Sequence, residues 1–199
     1  MPNELDEKAL IEIAFKDKPF LSLLGDKMNF LAGVCLDISM KNIPGEVAEC
    51  GVYKGGSARL LSTAFPRRKI HLFDSFCGFI KDDSIGVGFK KDEFSDTSLD
   101  AVKEYLDDRP NCLFFQGWLP ESAKEVREHF CLIHMDMDHY DSTMESLNLF
   151  WPKLVAGGAI VFDDWDGHCC PGIRQAITEF FPDEQERIIH GNQCVIFKQ

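Results

Sequence analysis

Three carboxylates follow two short apolar segments of the chain. Asp136 lies shortly after Cys131-Leu-Ile133, and the pair Asp163-Asp164 directly follows Ala159-Ile-Val-Phe162. Short apolar runs are typical of buried strands, so both groups are predicted to lie where strands end at one edge of a sheet. Carboxylate oxygens suit hard cations, which predicts a site for Mg²⁺, Ca²⁺ or Mn²⁺, with Mg²⁺ as first choice. Solvated acids at strand ends or helix caps would produce the same pattern.

A glycine-rich turn lies earlier in the chain. Residues 47–50 are predicted to form a strand, Gly51 and Gly55 to form a turn, and a helix to begin near Gly56. Glycine allows a ligand close to the backbone, and the free N–H groups of a helix start favour a negative group such as a carboxylate or phosphate. The spacing matches neither the dinucleotide fingerprint nor the phosphate-binding loop. The turn is therefore interpreted as a cradle for a small molecule.

A second strand ending in an acid follows this helix. Residues 69–73 are apolar in pattern and are followed by Asp74, about 20 residues after the turn, where a carboxylate typically accepts hydrogen bonds from ribose hydroxyls. The succession of strand, glycine turn, helix, strand and acid predicts half of a nucleoside-binding site.

The remaining chain alternates between strands and helices. Helices are predicted over residues 7–15 and 28–40. Two further helices are predicted to begin at the capping boxes 122–125 and 142–145. Strands are predicted at 47–51, 70–74, 112–116, 131–136, 158–163, 186–190 and 194–198. This alternation predicts an α/β fold with a mostly parallel sheet and helices on both faces, and the Gly-Asn turn near the end predicts a closing β-hairpin. A ligand is expected at the carboxyl ends of the strands.

Length and composition predict one compact domain. The chain has 199 residues and 45% hydrophobic content, and residues 1–44 are predicted as a helical cap segment of the same domain as the ligand-binding part, 45–199. The net charge of −12 argues against nucleic acid and anionic membranes as partners. An acidic N-terminus and the lack of a long apolar run predict a cytoplasmic protein, and its eight cysteines are interpreted as reduced thiols.

Five ordered motifs resemble the macrocin O-methyltransferase family, whose members use S-adenosylmethionine and magnesium to methylate hydroxyls, often on antibiotic sugars. The motifs are Glu46–Ala58, Leu72–Gly78, Asp136–Thr143, Pro152–Gly158 and Asp163–Trp165. The resemblance covers residues 45–182. It implies a class I S-adenosylmethionine methyltransferase (Rossmann-like) fold with a seven-stranded sheet.

The resemblance also implies roles for individual residues. The methionine end of the cofactor would be held by Glu49, Gly51, Tyr53, Gly56 and Ser57, the ribose by Asp74 and Ser75, and the adenine would be bordered by Gln116, Gly117 and Trp118. Asp136, Asp163 and Asp164 match the metal ligands, and Asp136 also matches the general base. An alcohol is a poor nucleophile until a cation lowers its pKa, and a nearby carboxylate can then accept its proton.

Several features depart from the family pattern or stay open. Met137 stands where the family has glycine, and His139 stands where a hydrophobic residue is usual. His139 could be a second proton acceptor or a substrate contact, but it is expected to be an ordinary half-exposed histidine. The N-terminal portion is shorter, so sugar or macrolide specificity is not carried over, and the acceptor is expected only to be a small hydroxylated molecule. The loop 77–97 is either a mobile cover or a plain surface loop. Cys169-Cys170 could line the site but is interpreted as structural or incidental. A homo-oligomer is compatible with the sequence.

Two functions other than methyl transfer are compatible with part of the sequence. A nucleotide-sugar glycosyltransferase could use Asp136-Met-Asp138 as its D-x-D metal motif, but the glycine-rich cradle would then have no obvious purpose. A non-catalytic S-adenosylmethionine-binding protein would not need three mutually repelling carboxylates.

Overall fold

The computed structural model describes residues 6–20, 25–85, 88–182 and 187–199. Its helices and strands alternate along the chain, and two single 3₁₀ turns, Glu121–Ala123 and Trp151–Lys153, interrupt the alternation. The helices are α1 (Glu7–Phe15), α2 (Gly25–Met40), α3 (Gly56–Ala64), α4 (Leu99–Tyr105), α5 (Tyr140–Phe150) and α6 (Pro171–Phe180). The strands are β1 (Glu46–Cys50), β2 (Ile70–Asp74), β3 (Cys112–Gln116), β4 (Phe130–Met135), β5 (Leu154–Phe162), β6 (Ile188–His190) and β7 (Gln193–Phe197).

The strands form one seven-stranded sheet in the order β3-β2-β1-β4-β5-β7-β6. The first five strands in this order are parallel, whereas β7 runs antiparallel to both β5 and β6. The predicted mostly parallel sheet with a closing hairpin is therefore confirmed. The hairpin returns its second strand, β7, to pair with β5, which leaves the short β6 at the edge.

Helices cover both faces of the sheet, as predicted. Successive residues of a strand point to opposite faces, and here they enter different core clusters. Val47, Leu72 and Leu132 pack with residues of α1, α2, α3 and α4. Their chain neighbours Ala48, Phe73 and Ile133 pack with residues of α5 and α6.

The N-terminal helices pack against α3 and share its core cluster. Buried Arg59 of α3 joins these parts, because its Nε donates to the Ala14 carbonyl at 2.6 Å and its two terminal nitrogens donate to the Asp108 carboxylate at 2.6 and 2.8 Å. The functional division at residue 45 stays a prediction.

Two predicted helix starts are wrong. The box at 142–145 lies inside α5, which begins at Tyr140, because the Asp83 carboxylate accepts hydrogen bonds from the backbone N–H groups of Tyr140 and Asp141 at 2.7 and 3.1 Å. The box at 122–125 lies at a 3₁₀ turn that ends at Ala123. β4 already begins at Phe130, which leaves less than two helical turns for a helix and its connection.

Other element bounds differ by a few residues. α2 begins at Gly25 rather than residue 28, and β5 begins at Leu154 rather than residue 158. Residue 186, the predicted start of β6, lies outside the described residues. No disulfide joins the eight cysteines, all of which the structure describes. Among the described helices, none is long and apolar enough to cross a membrane.

Candidate active site

A cavity of about 280 Å³ lies at the carboxyl ends of the parallel strands, where a ligand was expected. The glycine turn, the acid after β2 and the acids after β4 and β5 all line it. The lining residues include Gly51, Tyr53, Ser57, Asp74, Ser75, Gly117, Trp118, Asp136, Asp163 and Asp164. Ten of the predicted site residues therefore share one cavity, whereas Glu49, Gly56 and Gln116 do not line it.

Strand register brings the glycine turn and the acids together. Cys50 of β1 is paired with Met135 of β4, and Met135 with Phe162 of β5, so the next residue of each strand emerges at the same height. The backbone bonds continue past the strands: Asp136 N donates to Cys50 O at 2.8 Å, and Asp163 N donates to Met135 O at 3.0 Å.

The Asp74 carboxylate fixes the conformation of the glycine turn. One oxygen accepts hydrogen bonds from the backbone N–H groups of Val52 and Tyr53 at 2.7 and 2.9 Å, and the other accepts from Phe76 N at 2.6 Å. Tyr53 has a positive φ of 50°, and its hydroxyl donates to Asp96 at 2.6 Å. Asp74 thus shapes the turn, in addition to facing the cavity.

Glu49 of β1 does not line the cavity and is fully buried. Its Oε1 is 3.0 Å from Nδ1 of His134, a buried partner that the sequence did not reveal. Its Oε2 has no hydrogen-bond partner among the described residues. A buried carboxylate oxygen without a donor is costly, so it suits a polar ligand group or a water at this position. Exposed Gln116 donates to Ser75 O at 3.4 Å, whereas Gly117 and Trp118 line the cavity.

Asp136, Asp163 and Asp164 form one carboxylate cluster. Each offers an oxygen, and these oxygens all lie within 4.8 Å of one another. Asp163 is 2% exposed, and its Oδ1 has no hydrogen-bond partner in the described part of the chain. Desolvation and the charge of Asp163 raise the pKa of Asp136 well above its ordinary value. The oxygen-only donor set and the unpaired buried oxygen fit a hard divalent cation.

Lys27 of α2 reaches the same cluster. Its ammonium lies 3.0 Å from Oδ2 of Asp163 and 2.8 Å from Oδ1 of Asp164. Burial alone would lower the pKa of Lys27, but the charge of Asp163 and the hydrogen bond to Asp164 outweigh it and hold the pKa above its usual value. Sequence reasoning missed Lys27, and no local pattern marks it, because its partners are more than 130 residues away.

The hairpin turn also positions Asp164. The Asn192 amide donates to Asp164 Oδ1 at 2.7 Å, and its own side-chain oxygen accepts from Asp166 N at 2.7 Å. Asp164 itself has a positive φ of 56°. The predicted Gly-Asn turn was a signal for the hairpin but not for this contact.

Asp138 and Cys170 form a neighbouring group. Cys170 Sγ donates to Asp138 Oδ1 at 3.2 Å and lies 3.7 Å from Asp164 Oδ2. Desolvation and the charge of Asp164 raise the pKa of Asp138 to about 7. Exposed Cys169 takes no part in this cluster.

The expectation of a half-exposed His139 is wrong. His139 is 1% exposed, because its ring stacks on Phe79 at 4.0 Å and its Nε2 lies 2.9 Å from the Phe89 carbonyl oxygen. Both phenylalanines belong to the loop 77–97, which lines the cavity through Gly78, Phe79, Phe89, Phe94 and Thr97. The loop therefore forms part of the cavity wall. Residues 86 and 87 of this loop lie outside the described residues.

The fold resembles those of known methyltransferases. The structure aligns with the O-methyltransferase NovP at a TM-score of 0.75 and 21% identity, covering 99% of this chain and 90% of NovP. It aligns with the calicheamicin methyltransferase CalS11 at 0.72 and 20% identity, covering 99% and 93% of the two chains. Together with the sheet order and the cavity at the strand ends, these similarities define a class I S-adenosylmethionine methyltransferase fold.

The family follows from the sequence match. The model of the macrocin O-methyltransferase (TylF) family matches residues 15–192, and the chain belongs to this family. It is 29% identical to mycinamicin III 3''-O-methyltransferase of Micromonospora griseorubida, over 73% of this chain and 64% of that protein. It is 26% identical to demethyldecarbamoylnovobiocin O-methyltransferase of Streptomyces niveus, over 72% and 61%. The chain thus spans less than two thirds of the length of these relatives.

Proposed function

We propose that this protein is an S-adenosylmethionine-dependent and Mg²⁺-dependent O-methyltransferase that acts on a hydroxyl of a small molecule. The observation that carries the proposal is the carboxylate cluster of Asp136, Asp163 and Asp164, with its unpaired buried oxygen, in the same cavity as the glycine turn. The family assignment supports methyl transfer and argues against the nucleotide-sugar glycosyltransferase.

The cofactor would be held by the turn and its surroundings. Gly51, Tyr53 and Ser57 line the cavity beside Asp74 and Ser75, and Gly117 and Trp118 also line it. Glu49 would also take part, since its unpaired Oε2 suits a positively charged group such as the ammonium of the methionine end. Gly56 and Gln116 would support this arrangement without facing the cavity.

The three carboxylates would bind the cation, and one of them would also accept a proton. Asp163 and Asp164 would bind the cation together with Asp136, and a bound divalent cation lowers the pKa of a hydroxyl that coordinates it. Asp136 would accept the hydroxyl proton. The charge of the bound cation would keep Asp136 ionised and so able to accept this proton. Asn192 and the strand register would keep these oxygens in position.

The acceptor is proposed to be a small hydroxylated molecule. One relative is a mycinamicin III 3''-O-methyltransferase and the other a demethyldecarbamoylnovobiocin O-methyltransferase, so both are named for O-methylation of a small molecule. Rings of Phe79, Phe89 and Phe94 line the cavity together with the acids. This combination suits an acceptor with an apolar face and a hydroxyl directed toward the carboxylates.

Calorimetric titration tests the two halves of the site separately. Purified protein is titrated with S-adenosylmethionine and with S-adenosylhomocysteine in EDTA and in Mg²⁺, and the same titrations are made on Asp74→Ala and Asp163→Ala. Cofactor binding should be lost in Asp74→Ala, because the turn loses its two hydrogen bonds to Asp74, and should persist in Asp163→Ala. Mg²⁺ binding should be lost in Asp163→Ala.

The matched control is Asp166→Ala, whose carboxylate is 70% exposed and close in sequence to the cluster. It should bind both ligands as the wild type does. If the wild type bound neither cofactor form, the methyltransferase proposal would be wrong. Cofactor binding without any cation binding would instead favour a cation-independent enzyme or a non-catalytic cofactor-binding protein.

A further inference from the structure

Lys27 occupies a position among the carboxylates that a cation would also need. Its ammonium contacts Asp163 Oδ2 and Asp164 Oδ1, the carboxylates of two of the three proposed ligands. Its side chain is 24% exposed and lines the cavity, so it has a path toward solvent. A divalent ion bound to these oxygens would lie close to the ammonium. The two positive charges would repel each other, which is unfavourable in a partly buried site.

The helix that carries Lys27 is anchored independently of this contact. Met28 and Leu31, which follow Lys27 in α2, are at most 1% exposed and belong to the core cluster beneath α3. The backbone of α2 therefore stays in place when the lysine contact breaks. The lysine side chain has a flexible four-carbon stem and can move its charge without moving the helix.

The cluster needs positive charge when no cation is bound. Three carboxylates with oxygens within 4.8 Å repel one another, and one of them, Asp163, is almost fully buried. Among the described residues, Lys27 is the cationic side chain that forms ion pairs with this cluster. Its single charge offsets the repulsion only in part and leaves Asp163 Oδ1 without a partner.

We infer that Lys27 is a tethered counter-ion, which holds the cation-free carboxylate cluster together and must leave Asp163 and Asp164 when a divalent cation binds. The inference rests on the proposed cation site. It gives Lys27 a role as a positioning residue that lowers the affinity for the cation, while protecting the fold of the cation-free protein.

The test is a comparison of Mn²⁺ affinity in the wild type, Lys27→Gln and Lys18→Gln, by calorimetry at fixed ionic strength. The glutamine side chain in Lys27→Gln keeps most of the length of lysine but has no charge to compete with the ion, so the affinity should rise by about tenfold or more. Lys18 lies elsewhere on the N-terminal segment and pairs with exposed Asp107. Its loss should leave the Mn²⁺ affinity unchanged.

Thermal unfolding of the same proteins supplies a readout that does not depend on activity. In EDTA the midpoint of Lys27→Gln should lie below that of the wild type, because three carboxylates then face one another without a counter-ion. With saturating Mn²⁺ this difference should disappear, because the ion replaces the lysine in both proteins. A lysine with a purely structural role would give the same difference in both conditions.

Other results would overturn the inference. Equal or weaker Mn²⁺ binding in Lys27→Gln, with normal binding in the wild type, would refute the counter-ion role and leave the proposed function intact. Absence of Mn²⁺ binding in both proteins would refute the cation site and the inference together. If Lys27→Gln failed to fold, Lys27→Met would serve instead, because it also removes the charge and keeps a long flexible side chain. A rise in Mn²⁺ affinity is expected for it as well, and unchanged or weaker binding would overturn the inference.

Discussion

Gly51 and Asp136 are in direct backbone contact. A Cβ atom added at Gly51 would lie 1.8 Å from the Asp136 carbonyl oxygen, and the φ of Gly51 is +86°. The last residue of β1 therefore leads into a turn that only glycine can make at this place. This contact joins the glycine turn and the carboxylate cluster, so the two halves of the proposed site depend on one another.

Gly51→Ala should disrupt both halves of the site. The new methyl group would clash with backbone, which cannot move aside, and we expect a loss of more than about 1 kcal/mol of unfolding free energy. Binding of S-adenosylhomocysteine and of Mg²⁺ should both weaken. Urea denaturation and calorimetry measure these effects.

Gly191→Ala is the matched control for Gly51→Ala. Gly191 also has a positive φ, +56°, but its added Cβ would meet nothing within 4 Å. This variant should show only the strain of the left-handed backbone, about 1 kcal/mol, with ligand binding retained. Equal losses in the two variants would show that the contact with Asp136 is unimportant.

Removing one carboxylate charge should weaken cation binding strongly. Asp163→Asn keeps the shape of the side chain but removes one charged ligand, so we expect the Mn²⁺ affinity to fall by about a hundredfold or more. Exposed Asp166→Asn is the control and should bind Mn²⁺ normally. Unchanged affinity in Asp163→Asn would place the cation elsewhere in the protein.

Much of this site could be predicted because it depends on strand ends. Asp74 and Asp136 each follow an apolar run, and parallel strands end at one edge of the sheet, so these acids were expected to share a cavity. Apolar runs reveal which segments are buried. They carry no information on which polar side chains meet across the fold.

The contacts that sequence reasoning missed join residues that are far apart in the sequence. Lys27 meets Asp163 across 136 residues, and Asp83 caps α5 from a loop 57 residues before it. The capping box at 142–145 has the right residue types but lies within a helix that the remote acid has already started. His139 is likewise buried by Phe79, which lies in a loop. The conformation of this loop cannot be predicted from the periodicity of the sequence.

The cation-free protein should become less stable as the pH rises from about 4 to about 7. Folded Asp138 keeps its proton up to a pKa of about 7, whereas the unfolded chain loses it near 3.8, so the folded state binds more protons within this window. Stability therefore falls with increasing pH, by about 4 kcal/mol at most, and levels off above the folded pKa. Asp136 shifts in the same direction.

Urea denaturation in EDTA at pH 5 and pH 8 measures this loss. Asp138→Asn removes the titrating group and keeps an acceptor for Cys170, so its stability should fall less over the same range. Asp166→Asn should retain the full decline. Identical declines in the wild type and Asp138→Asn would show that Asp138 does not titrate as the structure implies.

Asp83 should stabilise both α5 and the loop that lines the cavity. It is 6% exposed, and its two oxygens accept hydrogen bonds from the first two backbone N–H groups of α5, whose preceding residue, His139, contacts Phe79 of the loop. Asp83→Ala should lower the unfolding free energy by about 1–2 kcal/mol, as expected for loss of a helix cap. It should also increase proteolytic cleavage within the loop 77–97.

The control for Asp83→Ala is Asp82→Ala. Asp82 accepts a hydrogen bond from Lys91 N within the same loop at 2.7 Å, and within the described part of the chain no hydrogen bond joins it to α5. The control should therefore keep nearly all of its stability, although its loop is altered. If the two variants lost the same stability, the contribution of Asp83 would lie within the loop rather than at the helix start. If only Asp83→Ala both lost stability and exposed the loop to protease, α5 and the loop would be coupled through this carboxylate.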